Sequence, residues 1–248
     1  MNFGKIYIRY KEDLPESEIM FSALEGFCSI GTEVKPFYGF GDICDIEDLG
    51  PDVGLFGYIG DVWRALRKLG IKKPEPLDYP DELKKYLGRK IKTSTIGYIR
   101  NNTPNGIFVK PYSHKIFTGF VMTGSFSDQM KFASCPNDEK IWISDVVDFE
   151  SEWRCFVLDG NILDVRPYKG NWYRYPDLDV ETIENAVDEY KSKPVACTLD
   201  FGTTKTGETV LIEVNDGYSF GNYGLPCEKY AKMIQARWRE LLKGEKLR

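Results

Sequence analysis

The chain has 248 residues, 42% of them hydrophobic and 14% aromatic, which suffices for a full core and is unlike a disordered segment. A net charge of −5 speaks against a nucleic-acid backbone as main partner, because such proteins carry a basic field. No apolar stretch reaches the length of a membrane span, and the opening MNFGKIYIRYKEDLP has charge where a signal peptide needs an apolar run, so a soluble cytoplasmic protein without a membrane partner is expected.

The elements follow in chain order. KIYIRY near the start reads as a strand, and VGLFGYIG runs as a strand into the helix DVWRALRKLG, which Gly70 ends. IKKPEPLDYP is a proline-rich connection, and a boundary is placed there, dividing the chain into residues 1–78 and 79–248. A short helix, DELKKYLG, opens the second part and stops at Gly88. From 89 to 168 the pattern is mostly strands: RKIKTSTIGYI, GIFVKP, IFTGFVMTG, KIWISDVVDF, EWRCFVLDG and NILDVRPY. DVETIENAVDEYKS is an amphipathic helix with Ile183, Ala186, Val187 and Tyr190 on one side, and EKYAKMIQARWRELLKG is a terminal helix. Strands followed by helices in two successive groups predict an α+β fold.

Between the last two helices lies VACTLDFGTTKTGETVLIEVNDGYSFGNY, a strand, a turn, a second strand and a glycine-punctuated loop. Glu213 and Asn215 are two apart, so on a strand they share a face. A turn centred on Thr206 and Gly207 sets Asp200 directly opposite Glu213. The hairpin then gathers Asp200, Glu213 and Asn215 into an oxygen cluster of the kind that suits Mg²⁺. The plainer alternative is a solvent-facing strand whose polar residues alternate with Val210, Ile212 and Val214.

Six scattered cysteines without a CxxC pair and one histidine, His114, give zinc or Cys-His chemistry little support. Lys110 leaves the apolar strand GIFVKP beside the loop PYSHKIFTG, which adds Lys115, a placement that sets point charges against a phosphate. No GxxxxGK[ST] or GxGxxG is present, which removes the Walker-type and dinucleotide-fold readings. Arg154 and Arg166 flank the turn at 159–161. A three-residue loop would pair them directly and call for an anion between them, whereas a two-residue loop would put them on opposite faces.

In this order, these pieces resemble the ATP-grasp superfamily, and most nearly its R-two-K clade of compact proteins common in phages and bacteria. GRKI, FVKPYSHKIFTG, SEWRCFV and IEVNDGYSFGNYG carry the likeness over roughly residues 80–240, with Glu-Val-Asn its most specific part. The resemblance implies an ATP-grasp fold of two α+β subdomains gripping ATP, preceded by a small α/β N-terminal domain. It implies ATP and two Mg²⁺ ions as cofactors. Lys110 would contact the ATP phosphates, with Lys115 in the loop beyond and Arg89 at the preceding subdomain edge. Asp145, Val146 and Val147 of the linker would line the adenine pocket, and Glu152 would hold the ribose. Asp200, Glu213 and Asn215 would hold the metal.

The chemistry the resemblance implies is carboxylate activation as an acyl phosphate, followed by attack of an amine, with a small-molecule or peptide substrate. Phosphorylation of a hydroxyl, or nucleotide binding without turnover, are the alternatives. One position departs from the pattern: many ATP-grasp ligases carry arginine two residues before the metal-binding aspartate, where Thr198 stands here. Arg154 and Arg166 are expected to take over the anion-stabilising role. In the glycine-rich loop, Tyr218, Ser219, Asn222 and Tyr223 are expected to face the acceptor.

Overall fold

A computed structural model of the protein describes residues 2–113, 116–171, 173 and 178–247. The chain begins with strand β1 (Lys5–Lys11), whose alternation buries Ile6 and Ile8 completely. A short strand β2 (Leu14–Pro15) turns back on it and leads into helix α1 (Glu18–Ser29). Strand β3 (Glu33–Phe37), helix α2 (Phe40–Asp45), strand β4 (Val53–Phe56) and helix α3 (Ile59–Lys68) complete this region. β1 lies between β3 and β4 and pairs parallel with both. Crossovers through helices are what parallel pairing requires, so the expected α/β character of the N-terminal part is present. The expectation from VGLFGYIG is shortened, because the strand ends at Phe56 and Tyr58 already precedes α3.

A second sheet contains β5 (Ile91–Thr95), β6 (Asn105–Pro111), β7 (Phe120–Thr123) and β8 (Lys140–Asp145), in the order β5-β8-β6-β7. Helices α4 (Ile96–Asn102) and α5 (Phe126–Lys131) interrupt it. The expected strand through RKIKTSTIGYI therefore breaks at Thr95. The Thr95 side chain accepts from Tyr98 N at 3.3 Å, the bond of a helix N-cap. KIWISDVVDF also divides, with Asp145 closing β8 and residues 146–148 forming the linker onward.

The third sheet follows: β9 (Phe149–Leu158), β10 (Asn161–Lys169), β11 (Ala196–Thr204) and β12 (Thr209–Asp216), ordered β10-β9-β11-β12 and antiparallel throughout. Helix α6 (Val180–Glu189) covers it, with Ile183, Ala186 and Val187 buried as the periodicity predicts. Helix α7 (Cys227–Leu241) then returns to the first sheet, where Tyr230, Ile234 and Trp238 join Phe27, Phe56 and Leu66 in one core. Two further cores lie under the other sheets.

The two hairpins of the third sheet fix the site, and both contain a bulge. Asp159 and Gly160 have φ of 50° and 78° and form a two-residue turn, the primed type that suits strand twist. That turn alone would set the two arginines on opposite faces. A register shift between Ile162 and Asp164 compensates, and Arg166 pairs directly with Arg154. In the second hairpin Gly207, at φ 84°, closes a three-residue loop between Thr204 and Glu208. Phe201 then pairs with Leu211, Ile212 is the extra residue, and Asp200 pairs with Glu213 as expected.

Candidate active site

Pairing across the third sheet lines up four charged residues in one transverse row: Arg166, Arg154, Asp200 and Glu213. The row runs from two cations to two carboxylates, and its central neighbours, Arg154 and Asp200, pair with each other while Arg166 and Glu213 find partners outside the row. Arg154 grips Asp200 through two bonds, Nε to Oδ1 at 2.8 Å and Nη2 to Oδ2 at 2.7 Å, with both side chains buried. This is the fork geometry of a guanidinium on a carboxylate. Tyr223 stands over the guanidinium at 4.8 Å and stacks on Tyr168. The anion expected between the two arginines is thus supplied by the protein itself. Arg154 has Asp200, while the more exposed Arg166 donates to Asp164 at 2.7 Å.

Asn215 connects the carboxylates, its Nδ2 lying 3.2 Å from Asp200 Oδ2 and 3.3 Å from Glu213 Oε1. From the second sheet Lys110 reaches across, donating to Glu213 Oε2 at 2.6 Å and to Asp78 Oδ1 at 2.5 Å. Trp142 donates to the other oxygen of Asp78 at 3.2 Å and packs edge-on against Tyr79. Burial works to discharge the Lys110 ammonium, but Glu213, Tyr79 and Asp78 overcome it and hold its pKa above the ordinary lysine value. Burial likewise pushes Glu213 upward, and Lys110 with Asn215 outweighs it, so this carboxyl titrates below its usual range.

A cavity of about 960 Å³ opens at the Lys110 end of this chain of ion pairs, lined by Lys110, Glu213 and Asn215 together with Tyr58, Trp63 and Tyr218. Its size lies within the range of small-molecule sites. Tyr218 is fixed there by Trp63 Nε1, 3.0 Å from its hydroxyl. Ser219 also lines the cavity, whereas Asn222 is buried and bonds within its own loop, to Gly224 N and Leu225 O. Asn222 is therefore a loop brace and does not face an acceptor.

Several expected contacts stand apart from the cavity wall. Arg89 spends its guanidinium on backbone carbonyls, donating to Leu87 O and Leu211 O at 2.9 Å and to Ile212 O at 2.7 Å. These bonds brace the β12 bulge, and a phosphate contact by Arg89 stays an expectation. Asp145 Oδ2 accepts from Lys90 N at 3.1 Å at the end of the β5–β8 pairing, with Val146 exposed and Val147 half-buried beside it. Glu152 is paired with Lys169. Lys115 and His114 lie outside the described residues.

Among the described residues no three His, Cys, Asp or Glu side chains converge as a metal site. The candidate cluster is two carboxylates and an amide. Carboxylate oxygens have two acceptor sites each: Asp200 Oδ2 spends both, on Arg154 and Asn215, whereas Asp200 Oδ1 and both oxygens of Glu213 each hold one donor and keep capacity for a hard cation. The donor set fits Mg²⁺ better than a soft metal.

Asp78 was missed by sequence reasoning. It sits in a stretch legible only as a proline-rich connection, and its partners Lys110 and Glu213 are distant in sequence. The bulge at Ile212 was missed too, although the pairing it restores was expected.

The fold is that of ATP-grasp proteins. It superposes on a D-alanine–D-alanine ligase from Bacillus anthracis complexed with ATP at TM-score 0.59 and 15% identity, covering 96% of this chain and 98% of that one. An L-amino acid ligase from Bacillus licheniformis aligns at TM-score 0.57 and 14% identity over 99% of this chain and 76% of that one. An N5-carboxyaminoimidazole synthetase from Staphylococcus aureus aligns at TM-score 0.57 and 11% identity over 99% and 80%. At such identities the likeness speaks to the fold. None of the curated proteins searched matches the chain. The family described as ATP-grasp domain, R-two-K clade family 2, matches residues 86–233, and the chain belongs to that family.

Proposed function

We propose that the protein is an ATP- and Mg²⁺-dependent ligase that activates a carboxylate as an acyl phosphate and joins it to an amine. The observation that carries this reading is the continuous polar chain Lys110–Glu213–Asn215–Asp200–Arg154, which links two sheets and meets the cavity at Lys110, Glu213 and Asn215. Residues 79–248 form the nucleotide-gripping unit in this reading, and residues 1–78 the preceding unit, with Tyr58 and Trp63 on the substrate side of the cavity. Asp200, Glu213 and Asn215 would hold Mg²⁺, which supplies charge neutralisation of the phosphates in transfer. Lys110 has a further donor for a phosphate oxygen. Arg166, half-exposed at the end of the charged row, is the arginine with freedom to meet a developing anion. Asp145, Val146, Val147 and Glu152 remain the proposed adenine and ribose contacts.

Incubation with MgATP and panels of amino acids and peptides, followed by mass spectrometry, tests the reading. ADP and orthophosphate are expected only when carboxylate and amine are both present, with a condensed product. The variant Glu213→Gln, nearly isosteric, is expected to lose turnover by about a hundredfold or more, the scale on which removing one preorganised electrostatic contact acts. Stable phosphate on the acceptor would instead identify a kinase. Nucleotide binding without turnover would identify a binding module, and absence of nucleotide binding overturns the proposal.

A further inference from the structure

We propose that Asp78 is a positioning residue of this site, aiming the Lys110 ammonium and anchoring the Glu213–Asn215 segment of β12 together. The inference rests on the nucleotide reading above and adds a residue from the connection between the first and second sheets.

Asp78 makes contacts to three elements. One side-chain oxygen accepts from Lys110 at 2.5 Å and the other from Trp142 at 3.2 Å, so β6 and β8 are both held. Its backbone carbonyl accepts from Val214 N at 2.8 Å, an isolated bridge onto the free edge of β12. Val214 stands between Glu213 and Asn215, so this bond fixes the strand at the two candidate metal ligands. The residue itself has φ of 32°, a left-handed backbone that aspartate and asparagine tolerate better than other side chains. A residue that ties three elements from a strained backbone is over-determined by its surroundings.

The chemistry explains why a second carboxylate is useful. A lysine ammonium has three hydrogens and a flexible four-carbon stem. Glu213 and Asp78 take two of the hydrogens, which leaves one for a ligand in the cavity that Lys110 lines. When Glu213 turns its electrons toward a cation, Asp78 is the partner that keeps the ammonium in place.

The variant Asp78→Asn keeps shape and backbone tolerance and removes the charge. Two effects then oppose each other. Loss of a carboxylate reduces repulsion of a polyphosphate, while loss of the tether frees Lys110. The double-mutant cycle with Lys110→Met separates them. We expect Asp78→Asn to raise the Kd for MgATP about tenfold when Lys110 is present, the share of one charge-assisted hydrogen bond. In the Lys110→Met background the same change is expected to leave the Kd unchanged or lower it. Calorimetric titration reads both, with melting temperature reporting the fold. If Asp78→Asn fails to fold, Trp142→Phe removes the N–H that holds Asp78, together with part of the ring packed on Tyr79 and Tyr112, and about threefold weaker binding is expected when Lys110 is present and no weakening in the Lys110→Met background. Unchanged or tighter binding with Lys110 present overturns the inference and leaves the nucleotide reading standing. Absence of binding by the wild type overturns both.

Discussion

At the residue scale, the pair Arg154–Asp200 has the clearest energetic consequence. Both side chains are buried, and neither has solvent to replace its partner. Removing one charge from such a pair strands the other, which typically costs about 3–5 kcal/mol. Arg154→Met is therefore expected to lose about that much in urea unfolding, and Arg154→Met with Asp200→Leu to recover part of it. A double variant no better than the single one would show that packing, rather than a stranded charge, sets the loss. Much of this row was legible beforehand. Asp200, Glu213 and Asn215 were recognisable from a two-residue spacing and a turn, and Arg154 and Arg166 from flanking a turn. Asp78 was not, because no local pattern distinguishes an aspartate before Tyr-Pro, and its partners arrive from strands far along the chain.

At the scale of the element, register depends on bulges. Arg89 donates to the carbonyls of Leu211 and Ile212, at the residue inserted into β12, on the outer edge of the sheet. Arg89→Ala releases those carbonyls and is expected to weaken Mg²⁺-dependent nucleotide binding about tenfold or more, with about 1–3 kcal/mol lost in unfolding. Binding and stability both unchanged would mean that the bulge holds itself. Strands with period-two alternation and the helices α6 and α7 could be read directly from the sequence. The segment Ile96–Asn102 could not, since Ile, Tyr and Asn favour strand or turn locally and a cap at Thr95 with burial of Ile96 and Ile99 decides otherwise. Bulges leave no such trace. A pairing counted from the turn at Asp159–Gly160 was ambiguous for that reason, and one extra residue resolved it.

For the whole molecule, the close approach of α1 and α7 holds the two ends of the described chain together. A Cβ built on Gly26 would lie 2.0 Å from the carbonyl oxygen of Cys227, at the start of α7. Gly26→Ala must therefore push the helices apart, and a loss of about 1–3 kcal/mol is expected in thermal or urea melts. Hydrogen exchange should rise in α7 and in the loop 217–226 that precedes it; protection as in the wild type would show the contact to be readily absorbed. The return of α7 also sets an order of events during synthesis. The first sheet emerges early, but Phe27, Phe56 and Leu66 stay without part of their cover until Tyr230 and Trp238 have been made. Between the synthesis of the first sheet and that of α7, a nascent chain thus carries an open apolar face, the circumstance in which chaperones are recruited and premature termination yields sticky fragments.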